Sequence, residues 1–477
     1  MRRAALIIAM LALPAAAEAS ELQTWDTHSS YVDPAREQFN SPPPGAPARD
    51  NALRVNVLLP DGYDGRREFP VLYLLHGHGD AYDYWANSER GDVAEIAAGL
   101  GAIVVMPEGA RGWYVNWWKE GRRAEPAWER YHLEELIPLV ERRLRIRPGR
   151  RWHAIAGLSM GGLGALYYAS QRPEYFGSAA SFSGAISIQR PEWPAAFDTQ
   201  GERHQDVYGD PDGNRFYWTG HNPVALVENL AHTRVYLTVG DGTPLEPNNG
   251  FGSLAEVELR RHADDFAAAA GAAGVPLRYV PLAGIHDWPY WRRHLADAIA
   301  SGFFGDVPAN PARWTYETVA QGGSAWPLDF RFDQPPGELI TLSREANVLR
   351  GTGSGQVTIT TGQGCKLGFG LPFEQSLADA DWVRATPQLR LRVRPRVVGG
   401  GPALLRFRVT TARCGRRVPV AGATVRLGAR RVRTNGRGRA RLRLPQIGCC
   451  RRVVRASKPG YRASVTTVVR GGADGAR

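Results

Sequence analysis

A chain of 477 residues with hydrophobic and charged fractions of 43% and 22% is excluded from the disordered and collagen-like classes and is too long for one ordinary domain. Its formal charge of +12 is unevenly placed: Arg390 to Arg477 holds 24 Lys/Arg against a single acid, Asp474, so that stretch carries +23 and leaves −11 for the remainder. Such asymmetry marks either a solvated basic face or an anionic partner.

The chain starts Met1-Arg2-Arg3, runs apolar from Ala4 to Ala17 and offers Ala17-Glu18-Ala19 as a small-x-small cleavage site. This is the pattern of a secretory signal peptide, residues 1–19. The apolar run is shorter than the roughly 18 residues of a spanning helix and is broken by Pro14. Export discounts nucleic acid as the anionic partner and leaves a cell-envelope polymer or lipid headgroups. Residues 20–50, with Pro42-Pro43-Pro44, read as an irregular leader.

From residue 51 the pattern becomes regular. Strands are expected at Arg54–Pro60, Pro70–Leu75, Ala102–Pro107, Trp152–Ala156, Ala179–Phe182, Arg234–Val239 and Leu277–Val280. Helices are expected at Asp92–Leu100, Ala127–Leu144, Leu254–Ala270 and Trp288–Ser301, the second with Tyr131, Leu133, Leu136, Ile137, Val140 and Leu144 along one face. Alternating strands and helices imply a mostly parallel sheet covered on both sides, an α/β domain over residues 51–305. Beyond Pro308 short alternating segments between Gly/Pro turns predict one or two all-β sandwich modules, residues 312–380 and an arginine-rich 388–472.

All four cysteines lie late: Cys365, Cys414, Cys449 and Cys450. In an exported chain they are disulfide candidates with three possible pairings. Cys414 with Cys449 or Cys450 is the expectation, since these bracket one β-rich segment. Residues 51–305 contain no cysteine, which excludes a thiol nucleophile.

Gly157-Leu158-Ser159-Met160-Gly161 lies between an apolar strand and a helix of small residues. A G-x-S-x-G in that setting is the nucleophile elbow of α/β-hydrolases. A serine hydroxyl needs a base to take its proton, and His286, just after the last expected strand, stands where that base belongs. The other histidines have no such placement. For the acid, Asp241 at the end of Arg234–Val239 is favoured by spacing; its alternative is a turn aspartate. Glu256 and Glu258 would otherwise be solvated helix carboxylates. Met160 N–H and His78 N–H are the expected oxyanion donors. His76-x-His78 as a metal pair lacks a ligand partner at matching local spacing, and no cofactor is expected. Trp113, Tyr114, Trp117, Trp118, Trp218, Trp288 and Trp291 are candidates for an acyl or sugar cleft or for core packing.

With Leu74-Leu75-His76-Gly77-His78, Asp83-Tyr84-Trp85, Val105-Met106-Pro107-Glu108-Gly109, the Ser159 pentapeptide, Gly240-Asp241-Gly242-Thr243-Pro244 and His286-Asp287-Trp288-Pro289-Tyr290-Trp291, about half the chain resembles the esterase D / antigen-85 mycolyltransferase family of α/β-hydrolases. That resemblance implies that the acid is Glu256, a glutamate after the Gly-x-Gly-Thr-Pro loop, rather than Asp241, and that the oxyanion donors are the backbones of His78 and Met160. The mycolyltransferases carry an acidic residue where this chain has His76, which favours ester hydrolysis over mycolyl transfer to a sugar. Val420 to Val425 with Thr434-Asn435-Gly436-Arg437-Gly438 resembles the bacterial Ig-like, carboxypeptidase-regulatory-like repeat. The expectation is thus a secreted serine esterase or acyltransferase, taking an acyl ester with water, a sugar or glycerol as acceptor. A non-catalytic envelope-binding protein is the alternative.

Overall fold

The computed structural model describes residues 20–42, 48, 50–118, 126–245, 250–384, 386–398, 401–414, 416–445 and 451–470. The expected signal peptide and Cys449 and Cys450 lie outside these residues. Two compact units form: one runs to Trp326 and adds Gln334–Gly355 and Leu371–Glu374, and the other holds Pro327–Asp333, Gln356–Gly370 and the chain from Gln375 on.

The first unit is built on eight strands: β1 (Glu21–Asp26), β2 (Arg54–Leu59), β3 (Val71–Leu75), β4 (Ile103–Pro107), β5 (His153–Leu158), β6 (Ser178–Phe182), β7 (Arg234–Val239) and β8 (Leu277–Pro281). Their order across the sheet is β1–β2–β4–β3–β5–β6–β7–β8. β1 and β2 are paired antiparallel, β2 is antiparallel to β4, and β3 to β8 run parallel to one another. The central strands are apolar runs because both faces are covered; every residue of β3, β4, β5 and β6 is buried. β1 lies in the stretch read as irregular. It is an edge strand, largely exposed, so most of its residues are polar and the alternation that betrays a strand is faint.

Three helices frame the candidate site: α1 (Met160–Gln171), α2 (Gly250–Ala273) and α3 (Trp288–Ser301). α1 is buried along its whole length, which explains its small residues. α3 starts where Asp287 caps it, accepting from Trp288 N–H at 2.7 Å, with Pro289 in the first turn. The helix expected over Asp92–Leu100 is only Val93–Ile96, because Gly99 and Gly101 take positive φ and end it early. The long amphipathic helix spans residues 128–143, with a π-helical stretch at Tyr131–Leu136.

Two buried polar side chains fasten the strand Arg313–Thr318 onto this unit. Asn229 Nδ2 donates to Ser170 O (3.1 Å) and Glu317 O (2.9 Å), while its Oδ1 accepts from Glu317 N–H (2.8 Å). Gln171, the last residue of α1, accepts from Thr318 Oγ1 (3.0 Å) and Tyr316 OH. Beneath them Arg150 is buried, its guanidinium donating to the carbonyls of Pro173, Phe176, His232 and Pro308 and to Thr233 Oγ1. Burial lowers its pKa to about 10, still charged at neutral pH.

Glu129 is a buried carboxylate whose Oε2 accepts from Asn116 Nδ2 (2.8 Å) and Tyr167 OH (3.1 Å). Burial outweighs those donors and raises its pKa from 4.5 to about 7. An acid held above its ordinary pKa makes the fold most stable below that ordinary value, and stability falls as pH rises from 4.5 through about 7. Glu129→Gln keeps an oxygen for both donors. It is expected to flatten that slope and to raise stability at mildly alkaline pH by about 2 kcal/mol, read from urea midpoints across the pH range.

In the second unit, strands Arg390–Arg394, Ala403–Arg413, Arg416–Pro419 and Arg439–Leu444 form one sheet, and Val397–Val398, Ser464–Arg470, Arg451–Ser457, Thr424–Leu427 and Arg430–Arg433 form another. They share a core of Leu405, Phe407, Val409, Val425, Val454 and Val468. Arginine alternates with buried or half-buried aliphatic residues along Arg390–Arg394 and Arg439–Leu444, as a half-solvated strand requires. The expected pairing of Cys414 with Cys449 or Cys450 is overturned. Cys414, at the end of the long strand Ala403–Arg413, is bonded to Cys365 with a Cα–Cα separation of 5.2 Å. A disulfide forms where two Cα atoms come within about 4.4–6.8 Å, and the turn before Lys366–Gly370 brings Cys365 there. Among the described residues no helix is long and apolar enough to cross a membrane.

Candidate active site

Ser159 ends β5 and opens α1 with φ 52° and ψ −118°, a backbone conformation costly for any residue with a Cβ. The flanking glycines permit it. A side chain on Gly157 would run into the backbone of Gly161, and one on Gly161 into the carbonyls of Leu75 and His76. Ser159 N–H donates to Phe182 O (2.9 Å), tying the turn to β6. The site thus sits at the carboxyl ends of central parallel strands, where α/β sheets place ligands.

His286 Nε2 lies 3.0 Å from Ser159 Oγ, and Nδ1 lies 2.9 Å from Glu256 Oε2. Glu256 is fully buried on α2. Its second oxygen accepts from Ser183 Oγ (2.6 Å) and Gly240 N–H (2.5 Å). Burial pushes the Glu256 carboxyl upward, but His286, Ser183 and Gly240 more than offset this and hold its pKa below the ordinary value. An ionised carboxylate only accepts, so His286 Nδ1 must donate and Nε2 keeps its lone pair for the Ser159 hydroxyl proton. This chain of three groups can deprotonate Ser159 as it attacks.

Asp241 is elsewhere. Its carboxylate accepts from Thr243 N–H (2.8 Å) and Gly284 N–H (3.2 Å). These bonds bind the loop after β7 to the loop that carries His286, and the backbone donors help hold the Asp241 pKa low against burial. It is the turn aspartate of the two readings. Glu258, the other helix carboxylate, is partly exposed and pairs with Arg261 and Arg190.

Met160 is the first residue of α1, so its N–H belongs to the helix end that has no intrahelical acceptor. The His78 side chain is anchored: Nε2 lies 2.8 Å from Glu202 Oε2, which also accepts from Trp113 Nε1–H (3.3 Å). Gly77 N–H donates to Asp80 Oδ2 (3.3 Å), and Asp80 N–H returns to Gly77 O (3.1 Å), closing the turn that carries His78. Burial raises the Asp80 pKa to about 6. His76 is buried away from the hydroxyl: Nε2 accepts from Gly109 N–H (2.9 Å) beside Glu108. Burial pushes its pKa down, but Glu108 and Gly77 O more than offset this, leaving it raised. No group of three or more His, Cys, Asp or Glu among the described residues is arranged to hold a metal.

Sequence reasoning passed over two contributors, Ser183 and Glu202, and named a third, Trp291, only as a cleft or core aromatic. Ser183 follows β6, is held at φ 49°, and its hydroxyl meets both Glu256 and Trp291 Nε1–H (3.3 Å). Trp291 stands edge-on to the His286 ring at 4.8 Å. Glu202 fixes His78. Ser183 alone had a signal: a Ser-Gly step at the end of the strand beside the nucleophile strand. Of the aromatics proposed for a cleft, Trp113, Tyr114, Trp218, Trp288 and Trp291 are core residues. Trp118 is half-buried against Tyr217.

Residues 47–301 match the family described as "Putative esterase", more than half of the chain. The chain belongs to this esterase family. An esterase of Mycobacterium tuberculosis is 35% identical over 244 residues, covering 49% of this chain and 52% of the relative. The chain thus spans about half the length of that protein. A diacylglycerol acyltransferase/mycolyltransferase, Ag85C of Mycobacterium avium, is 28% identical over 246 residues, covering 47% of this chain and 67% of its own. Among solved structures, a ferulic acid esterase superposes with a TM-score of 0.44 at 22% identity, covering 60% of this chain and 98% of its own. MPT51 of Mycobacterium tuberculosis gives 0.44 at 22% identity, covering 56% and 98%.

Proposed function

We propose that this esterase-family protein is a serine carboxylic-ester hydrolase or acyltransferase working through an acyl-serine intermediate. One observation carries the reading: Ser159 Oγ, His286 and buried Glu256 form a continuous hydrogen-bonded line at the carboxyl end of β5. Ser159 Oγ attacks the ester carbonyl carbon as His286 Nε2 takes its proton. Glu256 fixes the tautomer and stabilises the imidazolium. The His78 and Met160 N–H groups hold the oxyanion, and His286 returns the proton to the departing alkoxide. Water, or a hydroxyl of a sugar or glycerol, then takes the acyl group by the same steps in reverse. His76, where the mycolyltransferases are acidic, favours water.

The protein acts outside the cytoplasm in this reading, supported by the Met1–Ala19 pattern and by the Cys365–Cys414 disulfide, a bond suited to an oxidising compartment. The arginine-rich unit holds it to an anionic partner, for which the sequence left a cell-envelope polymer or lipid headgroups. The test of the chemistry is release of p-nitrophenol from short- and long-chain acyl esters, repeated with glycerol or trehalose present. Turnover is expected, with acyl-glycerol or acyl-trehalose appearing only if the enzyme is a transferase. No turnover on any chain length would overturn the hydrolase reading.

A further inference from the structure

Nine arginines share the outer face of one sheet in the second unit, eight of them on its three longest strands. Arg390–Arg394, Ala403–Arg413 and Arg439–Leu444 pair so that Arg392 faces Arg408 and Arg408 faces Arg439, while Arg394 faces Arg406 and Arg406 faces Arg441. Directly opposed residues project from the same side of a sheet, so two complete rows of three arginines lie next to one another. Arg390 and Arg443 extend the patch at its two ends. All eight are exposed, and the residues alternating with them (Leu391, Val393, Leu405, Phe407, Ala440) are buried. Strands lie about 4.8 Å apart and alternate residues about 6.8 Å apart, so six positive charges crowd a patch of roughly 10 by 7 Å at the backbone.

Like charges directly opposed across strands destabilise a sheet. No acid in the stretch that forms these sheets relieves them, for no Asp or Glu occurs anywhere from Arg390 to Arg470. Folding needs only the buried alternate residues; polar neutral side chains would serve the outer face better. A surface kept against the interest of stability is the signature of a binding face.

We infer that this face docks the protein onto a bilayer surface rich in anionic phospholipid headgroups. The charges are spread in two dimensions across a three-stranded sheet face, as lipid phosphates are across a bilayer, whereas a linear polymer is followed by a charged groove. No aromatic ring stands among the arginines to stack on a sugar or a base; the other positions of the central strand on this face are Leu404, Thr410 and Ala412. Guanidinium forks suit phosphate oxygens bidentately. The inference is independent of the chemistry at Ser159.

The full chain is spun down with vesicles of phosphatidylglycerol in phosphatidylcholine, and with phosphatidylcholine alone, over a series of sodium chloride concentrations. Wild type is expected to sediment with the anionic vesicles only, and less as salt rises. Each arginine near such a surface contributes about a fivefold factor. Replacing one row, Arg392→Gln with Arg408→Gln and Arg439→Gln, should therefore weaken binding on the order of 100-fold. An equal charge change off this face, Arg426→Gln with Arg431→Gln and Arg455→Gln, exposed on the other sheet, should cost far less. The row variant should also melt at a higher temperature than wild type and keep wild-type turnover of a soluble ester. Arg408→Gln alone, which relieves two opposed pairs, should show both trends at smaller size. The inference fails if wild type ignores anionic vesicles, if both triple variants lose binding equally, or if the row variant melts lower. It fails equally if soluble polyphosphate or polyglutamate is held at salt concentrations that release the vesicles, which would assign the face to a polymer.

Discussion

Ser159→Ala is expected to abolish turnover of acyl esters, a loss on the order of 10⁴- to 10⁶-fold, with substrate binding largely kept. Alanine has a Cβ like serine, so it adds no new strain at φ 52°, and its methyl fills the place of the serine Cβ. The melting temperature should therefore stay near that of wild type, which separates lost chemistry from lost fold. The measurement is the initial rate of p-nitrophenol release beside a melting curve. Undiminished activity in a folded variant would remove Ser159 from the mechanism and with it the acyl-enzyme.

Glu256→Gln comes second and is the more discriminating. The oxygen of a glutamine here can still accept from Ser183 and Gly240, which both donate to one and the same glutamate oxygen. The amide nitrogen then faces His286 Nδ1, donor against donor. The imidazole escapes by shifting its proton to Nε2, the nitrogen that must be empty to receive one from Ser159. A loss of about 10³- to 10⁴-fold in kcat is expected. Asp241→Asn retains the oxygen that accepts from Thr243 and Gly284 N–H, so only a few-fold change should follow. Rates of the two variants measured side by side decide between the carboxylates; the reverse order would move the acid to Asp241.

These expectations show how unevenly the sequence speaks. The central strands were legible because a doubly covered parallel strand has to be an apolar run, and the elbow because its two glycines answer a steric demand. β1 was hidden by its own exposure. The choice between Asp241 and Glu256 was not legible from spacing: the aspartate sits at the strand end, while the glutamate reaches the histidine from a helix whose register a sequence does not display. Ser183 and Glu202 meet their partners only through the fold. Buried Arg150, which composition alone would put on the surface, is invisible until its carbonyl acceptors converge on it. The Cys365–Cys414 bond depends on which turn lies beside the end of a strand, and spacing carries no such information.

The polar fastening of Arg313–Thr318 bears on where the chain could be severed. Family similarity ends at residue 301, and a catalytic domain drawn from sequence would be trimmed there or at 305. Such a cut would remove the carbonyl of Pro308 from Arg150 and the Glu317 backbone from Asn229, and would strip Thr318 and Tyr316 from the last turn of the helix that follows Ser159. Each buried group left without its partner costs about 1–3 kcal/mol, a large part of what holds a domain together. The smallest piece that keeps its own stability therefore reaches past Thr318, and the border of the family match and the border of the folded body are different places in this chain.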